Sequence, residues 1–240
     1  MSNSLGTFFW LSFIYTFIKI KMDLPWYIDI FFVLLVIIFM YFINVAILQE
    51  KCGNVDSYTV LKSTVIPWIL IFANMMYILT KFPSWKTPFS NTFGLLVAKL
   101  AGCNTTFLSM LKPLDVKTES TSTEGTVNTA LHYVYEDPSL LINKFTMVNF
   151  DTTVQKLAHI IDDTKKDEIA DFKQFVKMKE IVSEWIWQLL TACITVSVSY
   201  NNLVASKCNK TASQYIENHN NAMADTGEPK EEQKVYTVTE

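Results

Sequence analysis

Ile30-Phe31-Phe32-Val33-Leu34-Leu35-Val36-Ile37-Ile38-Phe39-Met40-Tyr41-Phe42-Ile43-Asn44-Val45-Ala46-Ile47-Leu48 runs for nineteen residues with Asn44 as its one side chain that is neither aliphatic, aromatic nor Met. Coiled as an α-helix, at about 1.5 Å per residue, it would be ~28 Å long, the thickness of a bilayer's hydrocarbon core. A helix bathed in water needs a polar face. This stretch has none at any rotation, so the sequence predicts a membrane-embedded chain.

On its N-terminal side, Leu5 to Ile18 is apolar but stops at Lys19 and Lys21. That is short for a span and suits a tilted, interfacial or marginal transmembrane helix. Lys19, Lys21, Asp23 and Pro25-Trp26-Tyr27 form a boundary, with the rings at headgroup depth. On the C-terminal side, Ser63 to Thr80 reads as the next span, closed by Lys81, with Pro67 near its start where a missing amide is tolerated. A last apolar run covers Trp185 to Ala205. Ile169, Phe172, Phe175, Val176, Met178 and Ile181 mark a helical stripe that leads into it without a breaker. One long helix is predicted there, amphipathic first and apolar afterwards.

The fold class that follows is mainly α: an integral membrane protein with three to four transmembrane helices and a small, mostly helical aqueous domain. Residues 1–112 form the N-terminal membrane region, with spans near 5–18, 30–48 and 63–80. Residues 113–184 form the aqueous domain, 185–205 the C-terminal transmembrane helix and 206–240 a polar tail. Pro83 and Pro88 bracket a turn after the third span. Residues 91–111, apolar in patches but interrupted by Lys99 and Asn104-Thr105-Thr106, read as two interfacial amphipathic pieces. The Ser/Thr/Glu-rich stretch 117–126 is a linker, Leu131 to Tyr135 a short strand, and Thr152 to Ile161 a helix ended by Asp162-Asp163-Thr164, which caps the next one. Val235 to Thr239 alternates like a strand able to extend a partner's sheet. Lys19, Lys21, Lys81, Lys86, Lys99 and Lys112 outnumber Lys51, Lys62, Lys207 and Lys210 at the other membrane face, which leans 81–184 towards the cytoplasm.

Composition excludes several chemistries. All twenty basic residues are Lys, so no guanidinium fork is available for phosphate or base recognition, and no nucleic-acid partner is expected. Six glycines are too few for phosphate cradles, and neither a nucleophile elbow nor a P-loop occurs. His132, His159 and His219 are far apart, with His159 read as a packing residue. Asp162, Asp163, Asp167 and Glu168 gather at a helix start, where the dipole favours carboxylates, without the spacing of a calcium loop. Asp29 and Glu184 fall at span ends. Cys52, Cys103, Cys193 and Cys208 lack metal-ligand spacing; Cys52 and Cys208 share one side of the membrane and are able to pair. The sequons at Asn104 and Asn209 lie close to the membrane and are expected to be unused. The expectation is a non-enzyme with no catalytic, cofactor-binding or metal-binding residues.

Phe82-Pro83-Ser84-Trp85-Lys86-Thr87-Pro88-Phe89-Ser90-Asn91-Thr92-Phe93-Gly94-Leu95-Leu96-Val97-Ala98-Lys99-Leu100-Ala101-Gly102-Cys103 resembles a segment of multi-span virion membrane proteins, associated with minor capsid proteins, of nucleocytoplasmic large double-stranded DNA viruses. The resemblance covers about a tenth of the chain and implies a structural protein of the membrane beneath a capsid, derived from host endoplasmic reticulum. Its aqueous domain would meet capsid or other structural proteins. A membrane-anchored scaffold is therefore the first expectation. The alternative is an oligomeric viroporin-like ion channel, with Asn44, Asn74 and the face of Thr191, Thr195, Ser197 and Ser199 lining a polar path. Ser and Thr on such a face also let helices pack closely in lipid, and Asn74 would bond a neighbouring helix.

Overall fold

The computed structural model describes residues 2–53, 55–112, 132–206, 216 and 219–221. The linker 117–126, Cys208, the Asn209 sequon and the strand-like 235–239 lie outside them. Helices dominate: α1 (Ser2–Lys21), α2 (Trp26–Cys52), α3 (Ser57–Lys81), α4 (87–100), α5 (Cys103–Ser109), α6 (132–136), α7 (Ser139–Ile142), α8 (Phe150–Lys156) and α9 (Lys166–Ala205). Among the described residues there is no strand, only an isolated antiparallel bridge between Leu111 and Ile161. Three helices, α2, α3 and α9, are long and apolar enough to cross a membrane.

The molecule has two parts joined by α9. In the bundle, α1, α2 and α3 pack with the C-terminal half of α9 around Phe8, Val36, Met40, Trp68, Phe72 and Ala192. In the module, α4, α5, α7 and α8 close over the N-terminal half of α9 around Phe107, Ile142, Phe145, Phe150, Phe172 and Val176. The helix of 40 residues predicted as continuous from Lys165 onward starts at Lys166 and runs unbroken through both.

Several sequence readings are corrected. α3 begins at Ser57, six residues earlier than its apolar run, because Asp56 caps it by accepting from the Tyr58 amide at 3.2 Å and the Thr59 hydroxyl at 2.5 Å. Pro67 is thereby interior. The chain absorbs its missing donor by widening to a π-helical turn over Trp68–Ala73. Leu131 to Tyr135 is not a strand: residues 132–136 coil, with the Asp137 amide closing on the Tyr133 carbonyl at 3.0 Å. Residues 152–161 are helical only as far as Lys156, after which Ile160 and Ile161 turn into the module core.

The two pieces of 91–111 do not lie apart as interfacial segments. Leu95, Ala98, Cys103, Phe107, Met110 and Leu111 belong to the module's core. The reversal between α4 and α5 is made by Gly102 at φ 104°, a left-handed conformation that a side chain would strain. The module therefore begins near residue 87, upstream of the boundary at 113 read from the linker. A period-3.6 apolar stripe is compatible with a lipid surface or a protein core, and only the partner helix decides between them.

Candidate functional site

α4 crosses α9 at Gly94. A Cβ there would sit 2.2 Å from the Lys179 carbonyl oxygen, so the contact is backbone to backbone and admits only glycine. Ser90 and Ala98, one helical repeat to either side, are also buried, and the three small residues form a groove for α9. This Ser-x-x-x-Gly-x-x-x-Ala spacing was present in the sequence and marks the crossing, but it was not read there.

Lys179 lies in that crossing with 1% of its surface exposed. Its ammonium donates to Asn91 Oδ1 at 3.3 Å and to the carbonyls of Ile142 and Phe145 at 3.2 Å each. Three N–H donors meet three acceptors, so α4, the α7 segment and α9 are tied at one atom. Burial pushes its pKa down to about 8, which still leaves it charged at neutral pH. Cys103, in the same core, is pushed up to about 11 by burial and is an inert thiol at neutral pH.

Just beyond the crossing, four charged side chains from separate segments converge where the apolar half of α9 begins. Lys19 of α1 lies 2.7 Å from Asp29 of α2 and 2.8 Å from Glu184 of α9, while Lys86 of the 82–86 turn lies 3.8 Å from Glu184. Tyr15 also donates to Asp29. Burial disfavours the charge on Lys19, but Glu184 and Asp29 outweigh it and hold the pKa above the ordinary lysine value. Indole N–H groups reinforce the same level: Trp185 donates to Ser12 Oγ at 3.1 Å and Trp187 to the Trp85 carbonyl at 3.0 Å. Lys177 reaches Asp23 at 2.5 Å and lowers its carboxyl pKa. Asp29 and Glu184, read separately as span-end carboxylates, thus hold one lysine between them.

At the other end of the bundle, Lys51 donates to the Val204 carbonyl of α9 at 2.5 Å and to that of Ser206, which caps the helix, at 3.0 Å. A cation there satisfies carbonyls that lack helical partners and complements the dipole. Cys52 beside it is disulfide-bonded, whereas Cys103 and Cys193 are free thiols. Between the two charged levels α2 and α9 each cover about 30 Å of helix.

Most of the residues expected to line a channel are engaged inside a single chain. Asn44 Nδ2 donates to Thr64 Oγ1 at 2.8 Å and Ser199 Oγ at 2.9 Å. Thr191, Thr195 and Ser197 return their hydroxyl protons to the carbonyls four residues earlier. Asn74 does not make the expected helix-to-helix bond: its side chain is exposed and has no hydrogen-bond partner among the described residues. Gln188, not singled out in the sequence, is buried in the bundle with Oε1 lacking a partner among the described residues.

His159 is exposed, so it does not pack as expected; His132 faces Glu136 at 3.6 Å on the surface, and His219 is exposed. Asp162 is spent on a local turn, accepting from the Thr164 amide at 3.1 Å and hydroxyl at 2.7 Å, and the α9 N-cap position falls to Lys165. No three of the described His, Cys, Asp and Glu residues are grouped to hold a metal ion. Compared with protein-family models, curated proteins and solved structures, the chain matches none.

Proposed function

We propose that this chain is a membrane-anchored structural scaffold, its bundle seated in the bilayer and its module presented to a protein partner. The observation that carries the reading is α9, a single rod of 40 residues whose first half forms the core of the module and whose second half lies in the apolar bundle. With Lys179 and Gly94 fixing the crossing, the module has no flexible tether to the bundle and would transmit force and position rather than swing. Two charged levels about 30 Å apart match the hydrocarbon thickness of a bilayer. Aromatic Trp26, Tyr27, Trp85, Trp185 and Trp187 cluster at one of them, as interfacial belts do.

The resemblance carried by 82–103 supports a narrower assignment: the inner membrane of a large DNA virus, formed from host endoplasmic reticulum, with capsid proteins as partners. A disulfide at Cys52, at the end remote from the module, accords with an oxidising lumen on that side and the module in the cytoplasm. An oligomeric channel is less well supported, since Asn44, Thr191, Thr195, Ser197 and Ser199 are engaged within one chain, although Asn74 stands exposed without a partner among the described residues.

Leu140 and Val148 are 66% and 79% exposed on the module and offer a direct test. The doubly substituted Leu140→Glu/Val148→Glu chain should remain in the carbonate-resistant membrane fraction and lose co-purification of its structural partner. Undiminished co-purification would sink the module as the partner-binding surface; release of the native chain by carbonate would sink membrane anchoring.

A further inference from the structure

Towards the ionic level, α2 and α3 separate. α2 packs closely along 57–67 and much less along 74–81. The gap is a cleft of about 930 Å3, near the upper end of the range for ligand sites. Ile30 and Val33 of α2 and Ala73 and Met76 of α3 line its apolar part. Its rim carries Lys19, Lys81, Lys86 and Lys177 with Asp23, Asp29, Glu180 and Glu184.

The rim is formally neutral, but its charges are unevenly spent. Asp29 and Glu184 are engaged by Lys19, Asp23 by Lys177, and Glu180 accepts from the Met147 amide at 2.8 Å. Lys81 has no carboxylate partner among the described residues; its ammonium sits 5.6 Å from the centre of the Tyr77 ring. Lys86 is held only at 3.8 Å from Glu184. Lys81 thus stands at the rim of an apolar slot as a cation without an ion-pair partner among the described residues, and Lys86 is only loosely held. Trp26 and Tyr77, 73% and 60% exposed, flank the slot with amphipathic rings of the kind that settle at headgroup depth.

We propose that this cleft binds an anionic phospholipid of the surrounding bilayer, its phosphate against Lys81 and Lys86 and an acyl chain between α2 and α3. The site rests on the membrane reading above. An inorganic anion would use the two lysines and leave the slot empty. A neutral lipid would fill the slot and leave Lys81 without a counter-charge. An anionic phospholipid satisfies both halves, and each lysine near such a headgroup adds appreciably to retention.

The test uses the full chain, stripped of lipid in neutral detergent and then offered phosphatidylglycerol, phosphatidylcholine or inorganic phosphate under native mass spectrometry. One phosphatidylglycerol per chain should be retained in preference to phosphatidylcholine and should resist excess inorganic phosphate. Lys81→Gln/Lys86→Gln should weaken retention about tenfold or more. Ala73→Phe, which fills the slot, should abolish it. Retention unchanged by the lysine substitutions, displacement by inorganic phosphate, no lipid on the wild type, or a second copy of the chain in its place would each overturn the site. Carbonate-resistant pelleting of the membranes, before detergent extraction, separates the two readings: insertion without retained lipid removes the cleft alone, and failure of the wild type to insert removes the membrane reading as well.

Discussion

In the module, Phe107, Phe145, Phe150 and Phe172 are closed off from the surface, their rings 5.0 to 6.2 Å apart where they touch, and Lys179 is the one charged side chain buried with them among the described residues. In the bundle aromatics lie on both sides: Phe8, Phe32, Trp68 and Phe72 are buried, yet many others face outward. Phe31, Phe39 and Phe42 are 61%, 45% and 65% exposed, and Ser12, Asn44, Thr64, Thr191, Thr195 and Ser199 lie inside. α9 shows a change within one helix: its buried stripe holds Phe172 and Val176 in the module, then Thr191, Thr195 and Ser199 interleaved with Ala192, Val196 and Leu203 in the bundle. Water drives apolar groups together, so a module in water keeps its aromatics inside. Lipid supplies no such drive between helices, and there close packing of small residues and inward hydrogen bonds hold the helices together. Seated as proposed, with the bundle in lipid and the module in water, the molecule would meet two solvents, with the change between them at the level of Lys19, Asp29, Lys86 and Glu184.

The largest expected effect tests the water-facing half. Phe172→Ala empties the centre of the aromatic cluster and should cost the module about 3–5 kcal/mol, read as protease sensitivity of 87–180 with the bundle still inserted. Phe39→Ala, on the outward face of α2, should leave that protease pattern unchanged. If both substitutions destabilise alike, the two-solvent division is wrong.

The α4–α9 crossing comes next. Gly94→Ala drives a methyl into the Lys179 carbonyl and should cost about 1–3 kcal/mol in denaturant unfolding of the module. Gly6→Ala, where an added Cβ meets nothing within 4 Å, is the control.

Lys179 gives the crossing a pH signature. Its folded pKa of about 8 lies below the ordinary 10.5, so the unfolded chain binds the proton more tightly. Stability from this group therefore rises with pH between about 8 and 10.5, and is flat below that window where both states are protonated. Lys179→Met should erase the slope between pH 8 and 10.5, measured by denaturant titration across the window.

The smallest effects fall on polar groups in the bundle. Asn44→Leu removes two satisfied bonds and should cost about 0.6 kcal/mol, and at most about 1.7. Gln188→Leu removes a buried oxygen without a partner among the described residues and should be neutral or mildly stabilising. Thermal unfolding in detergent ranks the pair, and the opposite order would mean that Gln188 has a partner outside the described residues.

Leu95, Leu96, Lys99 and Leu100 show where the sequence stopped being sufficient. Their spacing specifies an amphipathic helix, but the same stripe serves a lipid surface or the flank of α9, so the module's true border was not legible. Asn74 and His159 failed for the same reason: periodicity places a residue on a face, and only the neighbours determine whether that face is covered. Lys19, Asp29 and Glu184 are separated by 10 and 155 positions along the chain, so no local spacing announces their contact.

The sequence alone fixed the helical character, the apolar lengths of α2, α3 and α9, the continuity of α9 and the absence of recognisable catalytic motifs. Those are properties of consecutive residues: hydropathy, helical period, breakers and residue types. Tertiary structure decided what those helices enclose: the Lys179 tie, the Gly94 crossing, the ionic level and the cleft between α2 and α3. Each depends on side chains brought together by packing from distant parts of the chain, and a one-dimensional pattern carries no record of which face meets which.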